Sequence, residues 1–146
     1  MDNETVNILL VEDSAGDAEL TREALANGRI SHHLDVVCDG EEAIQFLNKK
    51  GKYSNANKPD LILLDLNMPR KDGFEVLSEI KDNPNLNTIP VVILTTSNSE
   101  QDFYRCFELK ASAFFIKPVD LYSFFEVINS IEDFWFTKAK SPTLPK

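Results

Sequence analysis

Cysteine is scarce in this chain: 146 residues hold two, Cys38 and Cys106, each beside apolar neighbours. A disulfide framework or thiolate metal site is therefore not expected, and reduced, partly buried thiols are. Long apolar runs are missing as well, since no stretch approaches the ~18 residues of a membrane span. The opening Met1-Asp2-Asn3-Glu4 has neither the basic nor the apolar region of a signal peptide, which makes the cytoplasm the expected location. Positive charge is short, with 15 Lys+Arg against 24 Asp+Glu and a net charge of −9. Direct binding of nucleic acid is disfavoured, because neutralising phosphates dominates that affinity. Internal repeats and low-complexity segments are absent too. What remains is 42% hydrophobic and 27% charged residues, the balance of one folded domain.

Short apolar runs alternate with helical patterns along the chain. Val6–Val11, Leu34–Cys38, Leu61–Leu64, Pro90–Thr95 and Ala113–Ile116 read as strands, the first of them buried on both faces. Helical spacing or helix-start signals mark about Ala15–Asn27, a segment opening at Asp39-Gly40, Gly73–Lys81, Glu100–Leu109, and a last helix starting after Asp120 and running to about Phe136. Lys49–Pro59 reads as a helix end and surface loop. Such alternation predicts an α/β fold, a five-stranded parallel sheet doubly wound by helices. Residues 1–136 form the expected domain and 137–146 a C-terminal tail.

Ligands of such sheets bind outside the carboxyl ends of the strands. The residues leaving those ends are Glu12-Asp13, Asp65, Thr95 and Lys117. Gathered carboxylates repel one another, and a cation relieves that repulsion. An all-oxygen set with few carboxylates suits Mg²⁺ better than Ca²⁺. A carboxylate, a metal, a lysine and a hydroxyl are what phosphoryl transfer to an aspartate requires. The carboxylate attacks, while the metal and the lysine neutralise charge on the phosphoryl oxygens.

With Glu12-Asp13, Asp65-Leu66-Asn67-Met68-Pro69, Gly73, Leu94-Thr95 and Lys117-Pro118 in order, the chain resembles the receiver domain of two-component response regulators over about Val6–Phe136. The resemblance implies the flavodoxin-like (βα)5 receiver fold and a sensor histidine kinase as partner. It implies Asp65 as phosphoacceptor, with Mg²⁺ held by Asp13, Asp65 and the Asn67 carbonyl and assisted by Glu12 through water. Lys117 would pair with the phosphoryl group, across a cis Lys117–Pro118 bond. The Asn67 side chain and Ser97 would tune dephosphorylation. Thr95 and Phe114 would form the switch, and because Phe114 has no hydroxyl, coupling would rest on packing. The ending Ile131–Phe136, followed by Thr143-Leu144-Pro145, is similar to stand-alone receivers paired with phytochrome-type light-sensing kinases.

Plainer readings compete at several points. Asp13 and Asp65 could each be only a helix N-cap. His32-His33 sit side by side in an extended segment, so their side chains point to opposite faces and joint metal binding is not expected. In the last helix Leu121, Phe124, Ile128, Ile131 and Trp135 make one stripe, which Phe125, Val127, Phe134 and Phe136 widen. Two readings stand: a bulky core helix, or one that also forms a homodimer or partner surface. The residues after the last helix are too few for an output domain. A haloacid-dehalogenase-type phosphatase would place an acid two residues after Asp65, where Asn67 stands. A flavin or nucleotide carrier would need a phosphate cradle where Glu12-Asp13 lie.

Overall fold

A computed structural model describes residues 5–140, with side chains to residue 137. Its strands are β1 (Val6–Val11), β2 (His32–Val37), β3 (Leu61–Leu64), β4 (Val91–Thr95) and β5 (Ala113–Ile116). Its helices are α1 (Ala15–Ala26), α2 (Gly40–Leu47), α3 (Gly73–Asp82), α4 (Glu100–Glu108) and α5 (Leu121–Lys140). All strands pair in parallel in the order β2-β1-β3-β4-β5, so β3 lies at the centre of the sheet. The expected five-stranded, doubly wound α/β architecture is the one found.

Alternation along the strands divides the core in two. Leu9, Val11, Ile62, Leu64, Val91 and Ile93 face α2, α3 and α4, where Phe46, Leu77, Ile80 and Cys106 complete one cluster. Ile8, Leu10, Leu61, Leu63, Val92 and Leu94 face the opposite way, onto Leu25 of α1 and Phe124, Ile128 and Ile131 of α5. A strand covered on both faces must be apolar at every position, which is why Leu61–Leu64 reads as an unbroken run.

Side chains cap the helices in turn. Ser14 caps α1, Asp39 caps α2, and Ser99 caps α4, each accepting from a backbone N–H in the first turn. Asp72 and Glu75 form a reciprocal capping box on α3. Asp120 accepts from Ser123 N at 2.8 Å at the start of α5.

The last helix departs furthest from expectation, running to Lys140, four residues beyond Phe136. Its helical pattern continues through Thr137-Lys138-Ala139, none of which breaks a helix. The remainder of the expected tail, residues 141–146, lies outside the described residues. The Lys49–Pro59 segment is less open than a plain loop, since a 3-10 turn spans Gly51–Tyr53. The Tyr53 ring lies 5.1 Å from Phe46, and its hydroxyl donates to Glu42. Cys106 is buried as expected, but Cys38 is exposed because it follows the last residue of the edge strand β2. His33 is exposed and lies 3.3 Å from Asp35, while His32 Nδ1 contacts the Ile30 carbonyl, so the two histidines form no common site. Among the described residues no helix is long and apolar enough to cross a membrane.

Candidate functional site

The register of the sheet assembles the site. Val11 pairs with Leu64, so Glu12 and Asp65 leave adjacent strands at the same level. Asp65 N donates to the Val11 carbonyl at 3.1 Å, and Glu12 N to the Val37 carbonyl at 3.0 Å. Thr95 pairs with Ile116, and Lys117 N donates to the Thr95 carbonyl at 2.7 Å. Gly73 closes the approach from α3. A Cβ there would meet the Asp65 carbonyl oxygen at 2.3 Å, so only glycine lets the helix start against the loop that carries the aspartate. Because Ser14 and Asp72 occupy the caps of α1 and α3, neither Asp13 nor Asp65 is consumed as one.

Lys117 crosses the sheet edge from β5 toward β3 and β1. β5 lies two strands from β3, roughly 10 Å at the usual strand spacing, a span that favours a long side chain. Its Nζ lies 2.5 Å from Glu12 Oε1, 2.8 Å from Asp17 Oδ2 and 3.2 Å from Asp65 Oδ2. Burial alone would lower the lysine pKa. Hydrogen bonds to Asp17 and Glu12, with the charge of Asp65, outweigh it and hold the group above its ordinary value as an ammonium. Burial dominates at Glu12, whose carboxyl is pushed up to about 7 although Lys117 pulls the other way.

The remaining expected residues lie around this centre. Thr95 is fully buried at the end of β4 and its Oγ1 accepts from Ser97 N at 3.3 Å, whereas Thr96 is exposed. Ser97 Oγ donates to Asp102 Oδ2 of α4 at 2.6 Å. Asn67 is exposed, its backbone N–H 3.4 Å from Asp65 Oδ1. Phe114 is half-buried, and its ring meets Phe103 of α4 edge-on at 5.4 Å. The expected cis Lys117–Pro118 bond is not found, because the described residues contain no cis peptide. Trans is the lower-energy isomer for X–Pro by about 0.5–1 kcal/mol, and Lys117 reaches all three carboxylates in it.

Asp17, Asp102 and Phe103 have no role in the sequence pattern alone. Asp17 lies in the first turn of α1, and no motif in the sequence tied it to Lys117, a hundred residues away.

The donor set fits a hard divalent cation. One oxygen each from Glu12, Asp13 and Asp65 lies within 4.8 Å of the others. Three carboxylates, Glu12, Asp17 and Asp65, share one ammonium and Asp13 adds a fourth negative charge beside them, an excess that a cation would offset.

Central sheet, edge carboxylates and bridging lysine together define a signalling receiver, and comparison with known proteins agrees. The family model for the response regulator receiver domain matches residues 8–129, and the chain belongs to that family. It is therefore a two-component phosphorylation switch of the class that binds a divalent metal and has a histidine kinase as its implied partner. Within the family the chain is similar to Response regulator Rcp1 of Synechocystis sp., 47% identical over 138 residues that cover 94% of this chain and 92% of that one. Among solved structures it resembles the phosphorylated cyanobacterial phytochrome response regulator RcpA, with a TM-score of 0.87 and 45% identity over 92% of this chain and 96% of that one. The Mn²⁺-bound form of Rcp1 matches with a TM-score of 0.84 and 48% identity, over 89% of this chain and 94% of the other.

Proposed function

We propose that Asp65 is the phosphoacceptor, that Mg²⁺ is the metal, and that the donor is a phytochrome-type histidine kinase acting in the cytoplasm. The observation that carries this reading is the Lys117 ammonium shared between Asp65 and Glu12 at the carboxyl edge of the sheet. A relative at 45% identity has been solved phosphorylated, and Rcp1 with Mn²⁺ bound, which supports both acceptor and metal.

A carboxylate oxygen of Asp65 attacks the phosphorus of a phosphohistidine. The O–P bond forms as the P–N bond breaks, and the leaving imidazole nitrogen takes a proton. Asp13, Asp65 and the Asn67 carbonyl would hold Mg²⁺, assisted by Glu12, and the ion would supply charge neutralisation at the phosphoryl oxygens. Lys117 donates to one of those oxygens. Buried Thr95 releases the Ser97 N–H and turns its hydroxyl toward another. Phe114 follows inward and carries Phe103 of α4 with it, so the signal leaves by packing. Ser97 and the Asn67 side chain set how readily water reaches the adduct. Apart from its own phosphorylation and dephosphorylation the chain catalyses nothing.

Mixing the protein with Mg²⁺ and a small acyl phosphate, then measuring its intact mass, tests this. One phosphoryl adduct is expected, labile to base and hydroxylamine and absent in Asp65→Asn. A folded wild type that forms no adduct from either acyl phosphate or a cognate kinase refutes it.

The last helix also supports pairing with a second copy. Its stripe is core at Phe124, Ile128 and Ile131, and the half-buried Phe125, Val127, Phe134 and Trp135 pack against that core. Leu121 and Tyr122 stay exposed close in sequence to exposed Ile116 and Val119, and Phe136 is exposed further along the helix. Sedimentation with and without beryllofluoride decides it, and a monomer at high concentration in both conditions removes the dimer.

A further inference from the structure

Asp17 stands at the working edge of the sheet with no task in the phosphoryl-transfer scheme. It lies in the first turn of α1, where its backbone N–H is bound by Ser14 Oγ at 3.2 Å. Its carboxylate instead reaches back over the edge to Lys117. That contact, at 2.8 Å, is shorter than the 3.2 Å between Lys117 and Asp65.

An ammonium has three N–H donors. Here three carboxylates surround it: Glu12, Asp17 and Asp65. No donor is left over for a phosphoryl oxygen, so Lys117 must release one partner when the acceptor is loaded. Asp65 carries the new group and stays. Glu12 has a side chain 1% exposed, and a buried carboxylate that loses its cation bears a desolvation cost no water can offset. Asp17 is 32% exposed and can turn to solvent. It also places a negative charge against the same lysine that must attract a group of about −2.

Resting on the assignment of Asp65 as acceptor, we propose that Asp17 is a positioning residue. It holds Lys117 in the resting state and is the partner exchanged for a phosphoryl oxygen. The exchange sets a threshold, because every phosphorylation must first break the Asp17–Lys117 pair. It also links α1 to the state of the site, since the helix turn that bears Asp17 is tethered only before loading.

Calorimetric titration of beryllofluoride, a phosphoryl mimic, into the full chain at saturating Mg²⁺ provides the test. Asp17→Asn and Asp17→Ala are expected to bind about threefold to tenfold more tightly than wild type, on the scale of a partly exposed charged pair. Asp17→Glu is expected to return toward wild type. Circular dichroism of each free variant establishes that it is folded. A residue that only buttresses the lysine would make binding weaker when removed, so the sign separates the two roles. Equal or weaker binding by both Asn and Ala variants, with wild type binding normally, overturns the exchange. A wild type that binds no beryllofluoride instead removes the acceptor assignment itself.

Discussion

Asp13 is exposed, lies with Glu12 and Asp65 in the acidic cluster, and is not among the partners of Lys117. Its charge therefore adds repulsion without sharing in the relief. Asp13→Asn is expected to raise the stability of the metal-free protein by about 0.5–1 kcal/mol, since that is the scale of an exposed pairwise charge term. Saturating Mg²⁺ should reverse the order, because wild type gains the linkage energy of a bound ligand and the variant gains less. Thermal unfolding of both proteins with and without Mg²⁺ checks it.

Cys106 gives a second prediction at this scale. Burial pushes its thiol up to about 11 from an ordinary 9.0. A raised folded-state value means that the neutral thiol is the form the fold prefers. Its stabilising contribution is complete below pH 9, then falls as pH rises through about 11. A thiol reagent near neutral pH should label Cys38 alone in the native protein and both cysteines in denaturant. Early native labelling of Cys106 would contradict its burial.

Among the elements, α5 is held to the body by more than its apolar stripe. Glu132 is 1% exposed and accepts from the backbone N–H of Arg29 at 2.8 Å and of Ile30 at 3.1 Å. Gly28 makes room for that carboxylate, since a Cβ would lie 2.2 Å from Glu132 Oε2. The helix is thus latched to the α1–β2 turn by a buried carboxylate. Glu132→Ala leaves two donors unmet and should cost about 2–4 kcal/mol, comparable with Ile128→Ala at about 2–5 kcal/mol. Tyr122→Ala, at a position 74% exposed, should shift stability by less than about 0.5 kcal/mol. Urea unfolding of the three variants gives the comparison.

The latch also marks where sequence alone stops. Strand positions were legible from unbroken apolar runs, which burial on both faces imposes on β3, and β1, β3 and β5 fall on the expected residues. Glu12, Asp13, Asp65 and Lys117 were legible because a parallel sheet delivers its strand ends to one place. Glu132 was not, for its partners lie about a hundred residues away and nothing local distinguishes it from other helix acids. Asp17 was hidden likewise, as its partner is Lys117, a hundred residues on. The helix caps were spread among many Ser and Asp, and only geometry shows that Ser14 and Asp72, rather than Asp13 and Asp65, fill those of α1 and α3. The geometry of the Lys117–Pro118 bond could not be read from residue types, because isomer preference depends on what surrounds the bond.

For the whole molecule, the parallel sheet gives the protein two unequal ends. Glu12, Asp65, Thr95 and Lys117 all leave the carboxyl ends of strands. The connections from α1 to β2, α2 to β3, α3 to β4 and α4 to β5 all lie at the other end. Length can therefore be added there without moving the chemistry. A flexible Gly-Ser insert between Asn57 and Lys58, both exposed in the α2–β3 connection, should leave acyl-phosphate labelling within about twofold of wild type. Its entropic cost is small, since doubling a loop costs about 0.6 kcal/mol. The same insert between Asp13 and Ser14 should abolish labelling. Intact-mass assays of both insertion variants would show the contrast. The amino-terminal end of the sheet is then a place where a fluorophore, a tether or a whole foreign domain can be spliced in to report on the protein while its opposite end keeps working.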